Sequence, residues 1–298
     1  MRILLLGGNG QVGYHLRRTL PIIGQIHAPA RDALDVTDFK AVKRELVAWQ
    51  PQLIVNAAAY TQVDQAEEDT GAAWRLNAEL PDMLAKEAAE RDALLVHYST
   101  DYVYSGRGDA PWHESSPCDP VNEYGKSKLA GDAAITQRRA PHLIFRTSWV
   151  YSARRHNFMN TLLRLGRERE QLTLVYDQRG APTPARLIAQ VTAMSLLKRR
   201  TGQSDGMPDG VYHLAPNGST TWCGLGKEIV HRASAIGLPM QVCPKRILPI
   251  PSRDYPTRAQ RPLNSQLHLG KLERALGLRL PHWRDELDLT LQEAQLGA

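Results

Sequence analysis

Short apolar runs alternate along the first half of the chain with longer stretches whose apolar positions recur every three or four residues. Arg2 to Leu6 is a continuous apolar run, the pattern of a parallel strand buried on both faces. Val12, Leu16 and Leu20 then mark one face of a helix that Pro21 closes. A short strand is expected near Gln25 to Ala28, followed by a helix over Phe39 to Trp49 with Asp38 as its N-cap. After Pro51 a strand runs from Leu53 to Tyr60, and an acidic, Ala-rich helical region, Glu67 to Arg91, follows with an interruption at Pro81. A fourth strand is read over Leu94 to Tyr98. A proline-rich loop, Pro111 to Pro120, leads through the candidate N-cap Asn122 into a helix with Leu129, Ala133 and Ala134 on helical spacing. His142 to Arg146 is the fifth strand.

Five strand-helix alternations predict an α/β protein built on a Rossmann-like, doubly wound parallel sheet. Beyond Thr147-Ser148-Trp149 the alternation becomes irregular and prolines cluster, with helices expected over Arg186 to Arg200 and Cys223 to Ile236. Residues 1–148 are therefore read as the sheet domain and residues 149–298 as a smaller C-terminal lobe, with segments weaving back to the sheet.

Composition narrows the field only a little. In 298 residues, 42% hydrophobic and 23% charged is ordinary for a globular chain and leaves disorder without support. A net charge of +6 suits an anionic ligand such as a nucleotide, although a solvated basic surface accounts for it equally well. The longest basic run is Lys198 to Arg200, which gives nucleic-acid binding little support. Three cysteines, Cys118, Cys223 and Cys243, lack metal-type spacing and imply no disulfide framework. Met1 leads directly into a strand, and the chain has no apolar run long enough to span a bilayer. A cytoplasmic protein without membrane contact is expected.

Candidate chemistry gathers at the ends of the expected strands. Gly7-Gly8-Asn9-Gly10-Gln11-Val12-Gly13 stands between strand and helix, the context in which spaced glycines bind a dinucleotide. Gly7 and Gly10 permit the turn and the approach of a pyrophosphate, Gly13 permits close packing, and the helix N-terminus offers its N–H groups. After the second strand come Arg31, Asp32 and Asp35. A carboxylate there suits a ribose hydroxyl and a base suits a 2′-phosphate, so NADH and NADPH both remain open. Asp35 and Asp38 serve equally well as turn and cap residues. His97, inside the fourth strand, reads as a satisfied core histidine. Thr100 follows that strand, placed to bond a substrate carbonyl or to form a turn with Asp101. Arg253, Arg258 and Arg261 lie in a polar loop where they meet phosphates or simply solvent.

Tyr124 and Lys128, four positions apart, share one helix face. At roughly 5 Å and an effective dielectric of about 20, the ammonium would favour the phenolate by on the order of 3 kcal/mol. Ten tyrosines and nine lysines give roughly one chance in three of such a spacing, so a bland surface pair is about as good a reading of the motif alone and its weight comes from the surrounding motifs.

Those motifs together resemble the extended short-chain dehydrogenases/reductases. More closely, Gly-Gln-Val-Gly at 10 to 13, Val-Asn-Ala-Ala-Ala at 55 to 59 and His-Tyr-Ser-Thr-Asp-Tyr-Val at 97 to 103 resemble the dTDP-4-dehydrorhamnose reductase family. Arg-Thr-Ser-Trp-Val-Tyr at 146 to 151 and Asp-Gln-Arg-Gly-Ala-Pro-Thr at 177 to 183 extend the resemblance. It implies reduction of the C4 ketone of dTDP-4-dehydro-6-deoxy-L-mannose to dTDP-L-rhamnose with NADPH or NADH. It also implies the roles. Tyr124 is the proton donor, Lys128 its partner and a ribose contact, and Thr100 orients the carbonyl. Gly10, Gln11 and Val12 face the pyrophosphate, with Gly7 and Gly13 shaping the turn. Asp35 and Val36 lie at the adenosine, Ala58, Ala59 and Tyr60 along the cofactor, and Tyr98 at the nicotinamide. Asp101 and Trp149 contact the dTDP-sugar.

Some members of that family pair through Mg²⁺ held by acidic side chains. At the matching positions this chain has His15 and Arg186, so a role for Mg²⁺ is doubtful and a monomer or weak homodimer is expected. A nucleotide-sugar dehydratase would want an acid after the Thr-Asp pair, where Tyr102 stands. An epimerase would keep its cofactor through turnover, and a non-catalytic nucleotide-binding subunit would not turn over. A reductase of another dTDP-4-keto-6-deoxy sugar would share most of these blocks.

Overall fold

A computed structural model describes residues 1–200 and 206–296. The first part runs β1 (Arg2–Leu6), α1 (Gln11–Thr19), β2 (Gln25–His27), α2 (Phe39–Trp49), β3 (Leu53–Asn56), α3 (Thr70–Trp74), a π-helical turn Arg75–Glu79, α4 (Leu80–Glu90), β4 (Leu94–Thr100), α5 (Glu123–Gln137) and β5 (His142–Thr147). The second runs β6 (Val150–Tyr151), α6 (Phe158–Glu168), β7 (Leu172–Val175), β8 (Arg179–Gly180), β9 (Thr183–Pro184), α7 (Ala185–Arg200), β10 (Gly210–His213), β11 (Thr220–Thr221), α8 (Trp222–Ala235), β12 (Ile247–Ile250), β13 (Asn264–Ser265), α9 (Gly270–Leu276) and α10 (Trp283–Leu296).

Six strands form one parallel sheet in the order β10-β5-β4-β3-β1-β2. Alternate side chains of each strand enter opposite cores. Ile3, Leu5, Val55, Val96, Leu143 and Phe145 pack with Leu16, Leu20, Ile188 and Val191 of α1 and α7. Leu4, Leu6, Ile54, Leu95 and Ile144 pack with Val42, Leu46, Leu84 and Ile135 of α2, α4 and α5. Burying each such side chain contributes about 1.5–3 kcal/mol, and burial on both faces is why these strands are apolar throughout. A third core joins Met159 and Leu162 of α6, Ile229 and Val230 of α8, and Trp283 and Leu287 of α10.

The chain leaves β1 toward β2 and then crosses back to β3 on the other side. This reversal opens a crevice beyond the C-terminal ends of β1 and β3.

Several local expectations are corrected. The third strand stops at Asn56: the Ala57 N–H still donates to the Leu6 carbonyl, but the Ala58 N–H turns to the Asn56 side chain and Tyr60 to Asn77. The helical region is not broken at Pro81, which sits in the first turn of α4, where its missing N–H costs nothing; the irregularity is the π turn just before it. A sixth parallel strand, β10, extends the sheet, and α6, α9 and α10 add to the two helices expected in the second half. Among the described residues no helix is long and apolar enough to cross a membrane.

Candidate active site

The glycine turn is shaped by backbone crowding. Gly7 has φ 75°, and a Cβ there would lie 2.6 Å from the Ala57 carbonyl and the Ala58 nitrogen. A Cβ at Gly13 would lie 2.1 Å from the Gly7 oxygen, so this glycine packs α1 against its own turn. Gly10 donates its N–H to Gly7 O at 2.9 Å and caps α1 without offering a side-chain acceptor. No acidic residue occupies the first turn of α1, which leaves its N-terminal N–H groups suited to an anion. Gln11 and Val12 offer only those backbone groups. The Gln11 side chain accepts from Ser152 Oγ (2.9 Å) and Asn157 Nδ2 (3.0 Å), and Val12 packs on the core.

Asp35 Oδ1 accepts from the Thr37 N–H (2.9 Å) and hydroxyl (2.8 Å), bonds that hold its carboxyl below the usual range, while Val36 packs into the core beside α2. Beyond β3 the Ala58 N–H donates to Asn56 Oδ1 (3.2 Å). Ala59 follows, half-buried, and Tyr60 exchanges two hydrogen bonds with the Asn77 side chain, at 2.9 and 3.0 Å. Asn77 sits in the π turn, fully buried, and also donates to Ser127 Oγ at 3.1 Å, tying the loop after β3 to α5. Sequence reading passed over Asn77; its only signal was an amide within an Ala-rich helical stretch just ahead of a proline.

Asn122 begins α5 by accepting from the Gly125 N–H at 2.8 Å. The helix thereby brings Tyr124 to the end of β4, where its phenol comes close enough to the Thr100 side chain to be influenced by it. Thr100 Oγ1 also donates to Asp101 Oδ1 (3.1 Å) and accepts from the Tyr102 N–H (3.1 Å), so Thr100 is at once a turn cap and a member of the hydroxyl cluster. Lys128 reaches the same strand. Its Nζ donates to the Tyr98 carbonyl at 2.6 Å and lies 3.3 Å from His97 Nε2.

These environments reverse one expectation. Burial, reinforced by the Asp101 and Asp132 carboxylates, pushes the Tyr124 phenol up to about 12, although the Thr100 side chain pulls the other way. Lys128 does not lower it, because the amine is directed to the Tyr98 carbonyl and is itself pushed down to about 8 by burial, with Asp132 opposing. Burial likewise pushes Asp101 up to about 7, against hydrogen bonds from Ser265 and Thr100. Asp101 Oδ2, Ser99 Oγ and Thr147 Oγ1 are buried with no protein partner, a set of unmatched polar atoms at the ends of β4 and β5.

Two expected contacts are redirected. The Tyr98 side chain points into the core, where its hydroxyl bonds Thr192 Oγ1 at 2.9 Å and its ring stacks on Phe145, so only its carbonyl meets the site. Trp149, at φ 46°, stacks on Trp222 with ring centres 3.7 Å apart, and Gly180 lies against its indole. The loop arginines are all paired: Arg258 with Glu68 at 2.7 Å, Arg261 with Asp64 at 2.6 Å, and the exposed Arg253 loosely with its neighbour Asp254 at 3.7 Å. His15 and Arg186 do not fit a hard divalent cation. Burial and neighbouring arginines push His15 down to about 4, and Arg186 bonds Glu286 (2.8 Å) and Glu293 (3.3 Å). Among the described residues no group of three or more His, Cys, Asp or Glu side chains is placed to hold a metal.

Comparison with known proteins accords with this arrangement. The dTDP-4-dehydrorhamnose reductase of Burkholderia thailandensis is 42% identical over 294 residues, covering 98% of this chain and 99% of that one. A crystal structure of a dTDP-4-dehydrorhamnose reductase from Clostridium acetobutylicum superposes with a TM-score of 0.89 at 29% identity, covering 99% of this chain and 100% of that one. The Bacillus anthracis dTDP-4-dehydrorhamnose reductase, solved in complex with NADP, gives a TM-score of 0.87 at 31% identity, with 98% and 99% covered. The model of the RmlD substrate binding domain matches residues 1–296, and with relatives of this identity along nearly its full length the chain belongs to that family.

Proposed function

We propose that this protein reduces the C4 ketone of dTDP-4-dehydrorhamnose to give dTDP-L-rhamnose, using NADPH or NADH. The observation that carries the reading is that Tyr124 of α5 and Thr100 come together at the end of β4, two strands from an anion-receptive glycine turn. The family match and the NADP held by the Bacillus anthracis relative support it.

A bound reduced nicotinamide supplies the hydride. Every other requirement falls to the chain. The Tyr124 phenol, kept neutral by its surroundings, holds the proton that the C4 oxygen needs as it gains negative charge. Thr100 gives that oxygen a second hydroxyl partner, stabilising the charge as it develops. Lys128 orients the cofactor ribose and exchanges protons with the phenol's surroundings. Gly7, Gly10 and Gly13 with the first N–H groups of α1 receive the pyrophosphate, Asp35 and Val36 border the adenosine, and Ala58, Ala59 and Tyr60 line the cofactor. Asp101, with one carboxyl oxygen unmatched, bonds the sugar nucleotide, and Trp149 offers it the exposed part of its indole.

In this proposal residues 1–148 hold the cofactor and residues 149–298 mainly hold the dTDP-sugar, in a cytoplasmic monomer or weak homodimer. Incubation with NADPH and enzymatically prepared dTDP-4-dehydrorhamnose, following reduced-nicotinamide absorbance and identifying the product sugar, tests the reading. Stoichiometric oxidation with dTDP-L-rhamnose as product is expected. Retained absorbance with an epimerised or dehydrated sugar, or no turnover of any dTDP-4-keto sugar, would overturn it.

A further inference from the structure

The polarity of a buried chain of hydrogen bonds behind Lys128 can be read link by link. The Ala58 N–H donates to Asn56 Oδ1 (3.2 Å), which fixes that amide with its oxygen toward the loop. Asn56 Nδ2 therefore faces His97 Nδ1, at 3.2 Å. An amide nitrogen only donates, so Nδ1 accepts and the imidazole carries its proton on Nε2. Nε2 in turn faces Lys128 Nζ at 3.3 Å. An ammonium only donates and would meet an N–H head-on, whereas a free amine accepts from Nε2–H and still donates to the Tyr98 carbonyl at 2.6 Å.

We propose that His97 is a positioning residue that, with its tautomer fixed by Asn56, favours Lys128 as a free amine and so makes this lysine release its proton far more readily than an exposed one. The proposal rests on the reductase reading for its consequence alone: a lysine near its own midpoint exchanges protons easily, as a group must to resupply Tyr124.

His97 and Lys128 are each 1% exposed, so solvent cannot stand in for either partner. Burial depresses both groups, in the same direction as the hydrogen-bond polarity. The charged and titratable groups around the pair are few. Tyr124 and Asp132 lie on α5, Asp101 follows β4, and Arg146 of β5 bonds Asp132 at 2.9 Å and so dilutes the one carboxylate that favours the ammonium. The Tyr98 hydroxyl points away, to Thr192, and from the π turn the uncharged Asn77 bonds Ser127 of α5.

The test is nuclear magnetic resonance on the full chain without cofactor or sugar. With isotopically labelled lysine Cε, one of nine resonances, identified by its loss in Lys128→Met, is expected to titrate near 8. Imidazole nitrogen shifts should place the His97 proton on Nε2. Asn56→Asp keeps the acceptor for Ala58 but presents a carboxylate to Nδ1. It should move the proton to Nδ1, turn a bare Nε2 toward Lys128, and raise the lysine midpoint by roughly one pH unit or more. In a His97→Phe background the same change should raise it much less.

A wild-type His97 protonated on Nδ1, a Lys128 titrating with the exposed lysines, or an Asn56→Asp shift undiminished in the His97→Phe background would overturn the proposal. An inactive protein that gives the expected spectra would instead overturn the reductase reading alone.

Discussion

Burial acts on Tyr124 and Lys128 with opposite chemical results, since the neutral phenol is loaded with a proton and the neutral amine is without one. A reduction consumes one proton at the carbonyl oxygen, so a phenol held up to about 12 starts in the useful form at any physiological pH. Tyr124→Phe is expected to lower kcat at least about a hundredfold, the usual scale for loss of a general acid, while NADPH binding measured by fluorescence titration stays nearly unchanged. Near-normal turnover would rule Tyr124 out as the donor. Asp101 carries a separate, opposite signature. Its carboxyl, pushed up to about 7 from an ordinary value near 3.8, stays protonated in the fold over a range where the unfolded chain has ionised. Its contribution to stability is therefore present at acid pH and is lost as pH rises through 7. Asp101→Asn should melt above wild type at pH 8, with the gain vanishing near pH 4. A gain independent of pH would show that the carboxyl is not the titrating group.

At the scale of elements, the site depends on how closely α5 approaches the π turn. A Cβ at Gly131 would lie 2.1 Å from the Asn77 carbonyl oxygen and 3.3 Å from Pro81, so the helix bearing Tyr124 and Lys128 seats only where that side chain is absent. Gly131→Ala should destabilise the protein by about 1–3 kcal/mol in denaturant melts, the range for overpacking, and also lower kcat by displacing both site residues. A variant with wild-type stability would mean that the π turn yields easily. The sequence displayed α5 itself clearly, through Asn122 and the apolar spacing after Tyr124. It did not display the contact, because a glycine in a helix reads as a weak helix former until its neighbour is known. The same limit hid the end of β3: Ala57 to Tyr60 continue an apolar run, but past Ala57 the Asn56 side chain takes the Ala58 N–H and Asn77, distant in sequence, takes the polar groups of Tyr60 in place of a ladder.

For the molecule as a whole, the alternating first half was legible because two-sided burial writes itself as continuous apolar strands. The second half was not, since its two-residue strands and its contribution of α7 and β10 to the first sheet leave no periodic trace. Site residues named by motif fell where strand ends meet, but the directions of Tyr98 and Trp149 depended on partners, Thr192 and Trp222, that no local pattern indicates. Arg186 is also committed within the chain, to Glu286 and Glu293, so light scattering with and without EDTA should report one unchanged mass; a chelator-sensitive dimer would contradict this.

Two buried histidines, His97 and His213, and the half-buried His15 resist protonation in the fold. His213 shows why most clearly. Arg146 donates to the Tyr104 hydroxyl (2.8 Å), which lies 2.7 Å from His213 Nε2 and 3.1 Å from the His113 carbonyl, while His213 Nδ1 faces the His268 carbonyl (3.2 Å). A second ring proton would place a buried charge beside a guanidinium, and burial with Arg146 pushes His213 down to about 3. His15 is down to about 4, chiefly by burial, and His97 lies well below its ordinary value for the same reason. Below about 6.5 the unfolded chain takes up protons that the fold refuses, so stability is lost as pH falls, opposing the reversed contributions of Asp101 and Glu286, whose carboxyls burial pushes up. The melting temperature should therefore drop between pH 6.5 and 4. In His213→Gln it should start lower at neutral pH, because a buried bonded ring is lost, yet fall less steeply. Parallel curves for the two proteins would show that His213 takes up its second proton as readily in the folded as in the unfolded chain over that range.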